Sequence, residues 1–215
     1  MKRQRKRRGI AKLIFIIGLV LICYPHIARK LDNKNSTKLA DEYSNAVDQL
    51  SDEEIEEIVE ELKAYGGGAG SYEDLGELAV EGDVFATVSV PKLQLNLPIY
   101  LGPTQENLEK GIAHVEGTSL PMGGNSTHCV LAGHAGCVEE YFTNIGKLEE
   151  GDLFYIKNIE TTLTYKVIRK KIIEPYDASD LQIVENKDLA TLLTCMNPGT
   201  PNNKRLIITG ERVLD

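Results

Sequence analysis

Thr191-Leu-Leu-Thr-Cys195 is an apolar strand pattern that ends in a thiol and runs straight into the turn-forming Met196-Asn-Pro-Gly-Thr200. A thiol at a strand end is held rigidly by its sheet yet stands open to a substrate. Taken alone, such a cysteine is ordinarily a small buried hydrophobe. Two companions change that reading. His134 closes Val130-Leu-Ala-Gly-His134 with Gly133 before it and Gly136 after it, and Arg205 opens Arg205-Leu-Ile-Ile-Thr209, where a hairpin returns it toward Cys195. Together they could perform acyl transfer. A thiolate attacks a carbonyl, an imidazolium gives its proton to the departing amine, and a guanidinium offers planar donors to the oxyanion or the substrate backbone. Positive charge nearby also favours the thiolate.

The other histidines fit this chemistry less well. His26 sits in an apolar N-terminal run, His128 begins a strand and His114 falls in a turn, so all three read as structural. Cys23, Cys129 and Cys137 form neither a C-x-x-C pair nor a Cys/His group at zinc-finger spacing, so no metal and no cofactor is expected. A disulfide between Cys129 and Cys137 is not expected either, because an extended strand at about 3.3 Å per residue carries the two apart.

Strands must position these groups. From Val84 onward the chain breaks into short β-branched runs punctuated by Gly, Pro and Asn: Val84–Val90, Leu95–Tyr100, His128–Ala132, Asp152–Ile156, Thr161–Ile173, Ala190–Thr194 and Arg205–Thr209. Seven or more such strands suggest an antiparallel barrel or a sandwich. Glu106–Ile112 and Tyr141–Leu148 read as short helices or helical turns. Ahead of this domain, residues 31–64 are polar with helical periodicity. Ser51-Asp-Glu-Glu54 makes a capping box before Ile55, Ile58, Val59 and Leu62, and the glycine-rich run 66–71 breaks the chain.

Charge is uneven along the 215 residues. The first 30 hold nine basic side chains and no acid, which leaves 15 basic against 32 acidic residues for the rest. So acidic a body is a poor partner for nucleic acid, since phosphate binding relies on a basic surface releasing counterions. The basic cluster 1–8 followed by the apolar run Leu13–Tyr24 is the pattern of a signal or anchor with the cluster kept on the cytoplasmic side. No small-x-small cleavage site follows, which favours an uncleaved anchor. The expected organisation is a cytoplasmic basic segment over 1–8, a transmembrane anchor over 9–28, an extracellular helical and linker segment over 29–80, and a catalytic domain over 81–215.

The motifs themselves resemble the sortase family. Thr191-Leu-Leu-Thr-Cys195 is similar to its Thr-Leu-x-Thr-Cys signature, Gly133-His134 to its histidine and Arg205 to its arginine. Val88-Ser-Val-Pro-Lys-Leu, Leu97-Pro-Ile-Tyr100 and Gly111-Ile-Ala-His-Val-Glu-Gly-Thr-Ser-Leu-Pro121 extend the resemblance over Val84–Arg212. It implies a closed eight-stranded β-barrel with short accessory helices, held by a single-pass anchor on the outer face of a Gram-positive cell membrane. It also implies a reaction: cleavage of a Leu-Pro-x-Thr-Gly-like sorting signal between Thr and Gly, a thioester on Cys195, and transfer to an amine. Glu116-Gly-Thr-Ser-Leu-Pro121 and Asp180-Leu-Gln-Ile-Val184 look most like class C, the pilin polymerases, whose acceptor is a pilin lysine. In the housekeeping type the acceptor is a peptidoglycan precursor. Residues 31–83 lack the Asp-Pro-aromatic lid motif of many class C members, which implies a lidless variant.

Two other readings fit the sequence less well. A papain-like peptidase places its cysteine before its histidine and at the start of a helix, the reverse of the order His134, Cys195, Arg205. A non-catalytic pilus subunit needs a sorting signal and apolar tail of its own, and the residues before Asp215 contain neither.

Overall fold

Val84–Val90 (β1) shows how these strands form. Ala86, Val88 and Val90 are fully buried while the intervening positions carry Thr and Ser, the period-two pattern that lets one face of a strand line a core. The same alternation recurs in β5 (Leu153–Lys157) and β6 (Thr162–Ile173), whereas β2 (Leu95–Leu101), β4 (Thr127–Gly133), β7 (Asp188–Met196) and β8 (Lys204–Arg212) are buried in near-continuous runs, and a three-residue β3 lies at Ile112–His114. In this computed structural model, which describes residues 34–64, 82–136, 141–196, 200 and 203–214, the strands close into a barrel in the order β1-β2-β3-β4-β7-β8-β6-β5. Its interior is packed with Val88, Ile99, Leu131, Phe154, Tyr165 and Leu192 among others. The expected eight-stranded barrel is therefore present and the sandwich is excluded.

The expectation of a wholly antiparallel barrel needs correction. Strands β2 and β3 pair in parallel, as do β4 and β7. Parallel neighbours require a crossover between them. For β2 and β3 that crossover is helix α3 (Gln105–Lys110), and for β4 and β7 it is the excursion through the β5–β6 hairpin. Helix α3 also ends two residues earlier than expected. Gly111 caps it in an extended conformation (φ −178°, ψ −140°), and the chain passes so close to β2 there that a Cβ would lie 2.8 Å from the Pro98 carbonyl oxygen, so Ile112–His114 run along β2. His114 is thus a strand residue rather than a turn residue. Between Tyr141 and Leu148 the chain makes turns with a single 3-10 segment at Ile145–Lys147; Phe142, Ile145 and Leu148 are all buried, and that spacing of three suits the tighter helix.

Two helices precede the barrel, α1 over 34–47 and α2 at Asp52–Ala64. The capping box forms as expected: the Glu54 backbone N–H donates to Ser51 Oγ, and Glu54 Oε2 accepts from the Ser51 backbone N–H. Helix α1 lies against the barrel wall, where the Tyr43 hydroxyl donates to the Phe85 carbonyl at 2.6 Å and Lys157 reaches Asp48 at 2.7 Å. Helix α2 buries Val59 and Leu62, the latter beside Leu101 and Leu120. Among the described residues no helix is long and apolar enough to cross a membrane; the expected anchor over 9–28 lies outside them.

Candidate active site

Cys195 and Arg205 stand directly opposite one another in the antiparallel β7–β8 ladder. On the other side of β7, Gly133 is opposite Thr194 in the parallel β4–β7 ladder, so His134 follows by one residue at the same rim. Alternation then decides the face. Leu192 on β7 and Leu206 on β8 belong to the barrel core, so Cys195 and Arg205, each an odd number of steps away, turn to the outer surface. Gly133 faces inward, where a Cβ would come within 2.6 Å of Ile112 Cδ1 and 2.7 Å of Phe142 Cδ2. Glycine is required there by close packing, and His134 leaves the strand at the rim. The structure thus brings all three expected residues to one end of three adjacent strands, and each is partly exposed.

Hydrogen bonds fix the backbone around them. The Thr194 hydroxyl donates to the Gly133 carbonyl at 2.7 Å, tying the ends of β4 and β7, and the Phe142 N–H donates to the His134 carbonyl at 2.8 Å. Arg205 Nη1 donates to Asn203 Oδ1 at 2.9 Å, which orients the guanidinium. Thr194, Phe142 and Asn203 were not singled out from sequence. The Thr-x-x-Thr repeat in β7 was a usable signal for Thr194, whereas nothing local marks the other two.

One wall of the outer face is the segment between β6 and β7. Asp180 accepts from Arg169 at 2.9 Å and from Lys171 at 2.6 Å, both on β6. The Gln182 carbonyl accepts from His128 Nδ1 at 2.8 Å. A carbonyl can only accept, so the His128 proton sits on Nδ1. Nε2 therefore accepts from Thr191 Oγ1 at 2.8 Å, and Thr191 in turn accepts from Thr209 at 3.0 Å. Burial, and then the charge of Arg169, lowers the His128 pKa and keeps the ring neutral. His128 is structural as expected, but it also pins this wall to β4 and β7.

The two described cysteines contrast. Both are free thiols, yet Cys129 points into the core, where burial and then the charge of Asp188 push its pKa up, while Cys195 is partly exposed at the rim. Cys137, the other half of the disfavoured disulfide, lies outside the described residues. Among the described residues no group of three or more His, Cys, Asp or Glu side chains is arranged to hold a metal ion.

The sortase domain family model matches residues 88–213, from the middle of β1 to just past the end of β8. The chain belongs to the sortase family. It is 30% identical to a sortase A of Bacillus anthracis over 99% of this chain and 97% of that protein. Among solved structures, the pilus-related sortase C of group B Streptococcus is 38% identical with a TM-score of 0.71, covering 80% of this chain and 95% of its own. Sortase C of Clostridium perfringens, solved with the C-terminal cell wall sorting motif, is 34% identical with a TM-score of 0.74 over 83% of this chain and 99% of its own. This sortase is therefore a cysteine transpeptidase, most like class C in structure.

Proposed function

We propose that this sortase is a single-pass membrane protein whose barrel lies on the extracellular face. There it cleaves a Leu-Pro-x-Thr-Gly-like sorting signal between Thr and Gly and joins the Thr carbonyl to a pilin lysine. The observation that carries the reading is the β4–β7–β8 rim, with Cys195 opposite Arg205 and His134 beside them. In the first half-reaction the Cys195 thiolate attacks the Thr carbonyl carbon while Arg205 donates to the oxygen as it gains charge. The C–N bond to Gly breaks as the His134 imidazolium gives its proton to the leaving amine. In the second half-reaction the lysine amine attacks the thioester, a proton returns to His134, and the thiolate leaves. The class C neighbours, one of them described as pilus-related, support the reading of a pilin acceptor.

A second acceptor is favoured by a different observation, the full-length likeness to a sortase A. In that reading the amine comes from a peptidoglycan precursor. Full-length protein in detergent, incubated with a panel of Leu-Pro-x-Thr-Gly peptides and either a lysine-bearing pilin peptide or an oligoglycine or diaminopimelate amine, decides between them by intact-mass spectrometry. An acyl adduct on Cys195 that transfers to lysine is the expected result. Transfer only to the wall-type amine moves the protein to the second reading, and hydrolysis with no transfer in either arm overturns the transpeptidase assignment.

A further inference from the structure

Helix α1 has no part in the reaction above, yet one of its side chains is buried close to the chain segment that holds His134. Ser36 is 3% exposed and Tyr141 is 1% exposed. Ser36 Oγ lies 2.9 Å from Tyr141 Oη and 2.8 Å from the Lys110 carbonyl, and the Tyr141 hydroxyl donates to the Glu109 carbonyl at 3.0 Å. Residues 109 and 110 close α3, and a helix leaves its last carbonyls without intrahelical donors. A serine from α1 and a tyrosine from the far side of the His134 loop supply those donors. Three segments widely separated in sequence therefore meet at one buried knot of hydroxyls and carbonyls.

From this knot the contacts lead directly to the histidine. Tyr141 is followed by Phe142, whose ring packs against Gly133 closely enough to forbid a Cβ there, and whose N–H is bonded to the His134 carbonyl. The backbone at residues 133 and 134 is thus located by the position of Phe142, and Phe142 is located by its neighbour. We infer that Tyr141 is a positioning residue for His134 and that Ser36 is the contact through which α1, the helix that follows the N-terminal apolar run, acts on it. The inference rests on the proposed role of His134 and goes beyond it, because it makes the membrane-proximal helix part of the catalytic geometry. Proton transfer to the leaving amine is steep in geometry, so a small shift of the imidazole is felt in turnover before it is felt in substrate binding.

The test compares full-length Tyr141→Phe, Ser36→Ala, their double variant and His134→Ala with the parent in detergent, using a sorting-signal peptide and an amine acceptor. Tyr141→Phe removes one oxygen and leaves the core ring in place. Its kcat is expected to fall about fivefold to tenfold with KM within about twofold, and the acidic and basic limbs of its kcat–pH profile to move. Ser36→Ala is expected to lower kcat about threefold, and the double variant to cost less than the product of the two, since both act through one contact. A merely structural knot predicts something else: a lower melting temperature with the kcat–pH profile and kcat of the folded fraction unchanged. That outcome, or wild-type kcat in both single variants while His134→Ala is inactive, overturns this inference alone. An active His134→Ala overturns the site assignment and the inference together.

Discussion

The β4–β7–β8 sheet has two rims built from the same strands, and they are used in opposite ways. At the far rim, Asp188 Oδ1 accepts from the Tyr165 hydroxyl at 2.9 Å, Asp188 Oδ2 accepts from the Gly124 N–H at 3.0 Å, and Lys187 meets both oxygens of Glu211 at 2.8 Å. These groups are spent on one another, although Arg212 Nη1 beside them is buried without a hydrogen-bond partner among the described residues. A cavity of about 490 Å³ bordered by Met122, Leu163, Asp188 and Arg212 opens there, away from the thiol. At the near rim, the hydrogen bonds from Thr194 and Phe142 hold the backbone at Gly133 and His134 and leave the reacting side chains to face outward. What marks the rim proposed to be active is a thiol, an imidazole and a guanidinium gathered where the backbone is fixed for them.

The comparison breaks if the near-rim groups prove dispensable. Cys195→Ala should abolish the acyl adduct altogether. Arg205→Lys keeps the charge but loses the planar fork, and kcat should fall on the order of 10²-fold, read by peptide turnover at saturating amine. Near-normal turnover in Arg205→Lys would show that charge alone suffices at this position.

The buried histidines sharpen the contrast through pH. Burial pushes the His114 pKa down to about 4, although hydrogen bonding to Ser119 and the charge of Glu116 oppose the shift, and burial also lowers that of His128. The unfolded chain takes up its proton near pH 6.5, whereas the folded chain resists doing so. Stability is therefore full above about pH 6.5 and is lost as pH falls toward about 4, with His114 alone contributing on the order of 3 kcal/mol across that window. Urea midpoints measured at several pH values between these limits should decline steadily. A flat profile would mean that both rings are protonated in the fold as easily as in the unfolded chain.

Much of the near rim was legible in the sequence because its signals are local. Cys195 and Arg205 flank one hairpin, so turn residues and strand pattern suffice to put them together, and His134 is marked by its glycines. The parallel pairing of β4 with β7 was not legible, since it depends on where the β5–β6 hairpin folds rather than on any feature of either strand. Strand β3 was missed because three residues are too few to show a period, and its apolar start extended the pattern of α3. The contact between Ser36 and Tyr141 joins residues 105 apart and has no local signature at all. Only residues that are neighbours in sequence, or that repeat with a regular spacing, announce their partners.

At the far rim, Asp188→Ala should leave kcat unchanged but strand the buried Tyr165 hydroxyl, lowering stability by about 1–3 kcal/mol in urea titration. An unchanged midpoint would show that water replaces the carboxylate at no cost.

Lys187→Ala should have the smallest effect of the series. Its pair with Glu211 is two-fifths exposed on each side, at 42% and 37%, so solvent screens it. The expected loss is about 0.5 kcal/mol at low salt and less at high salt, with turnover of the sorting peptide unaltered. Lys187 nevertheless sits immediately before β7, the strand that carries Cys195 near its other end. If Lys187→Ala slowed acyl transfer without changing the urea midpoint, the two rims would be coupled along β7, and the division of labour between them would have to be given up.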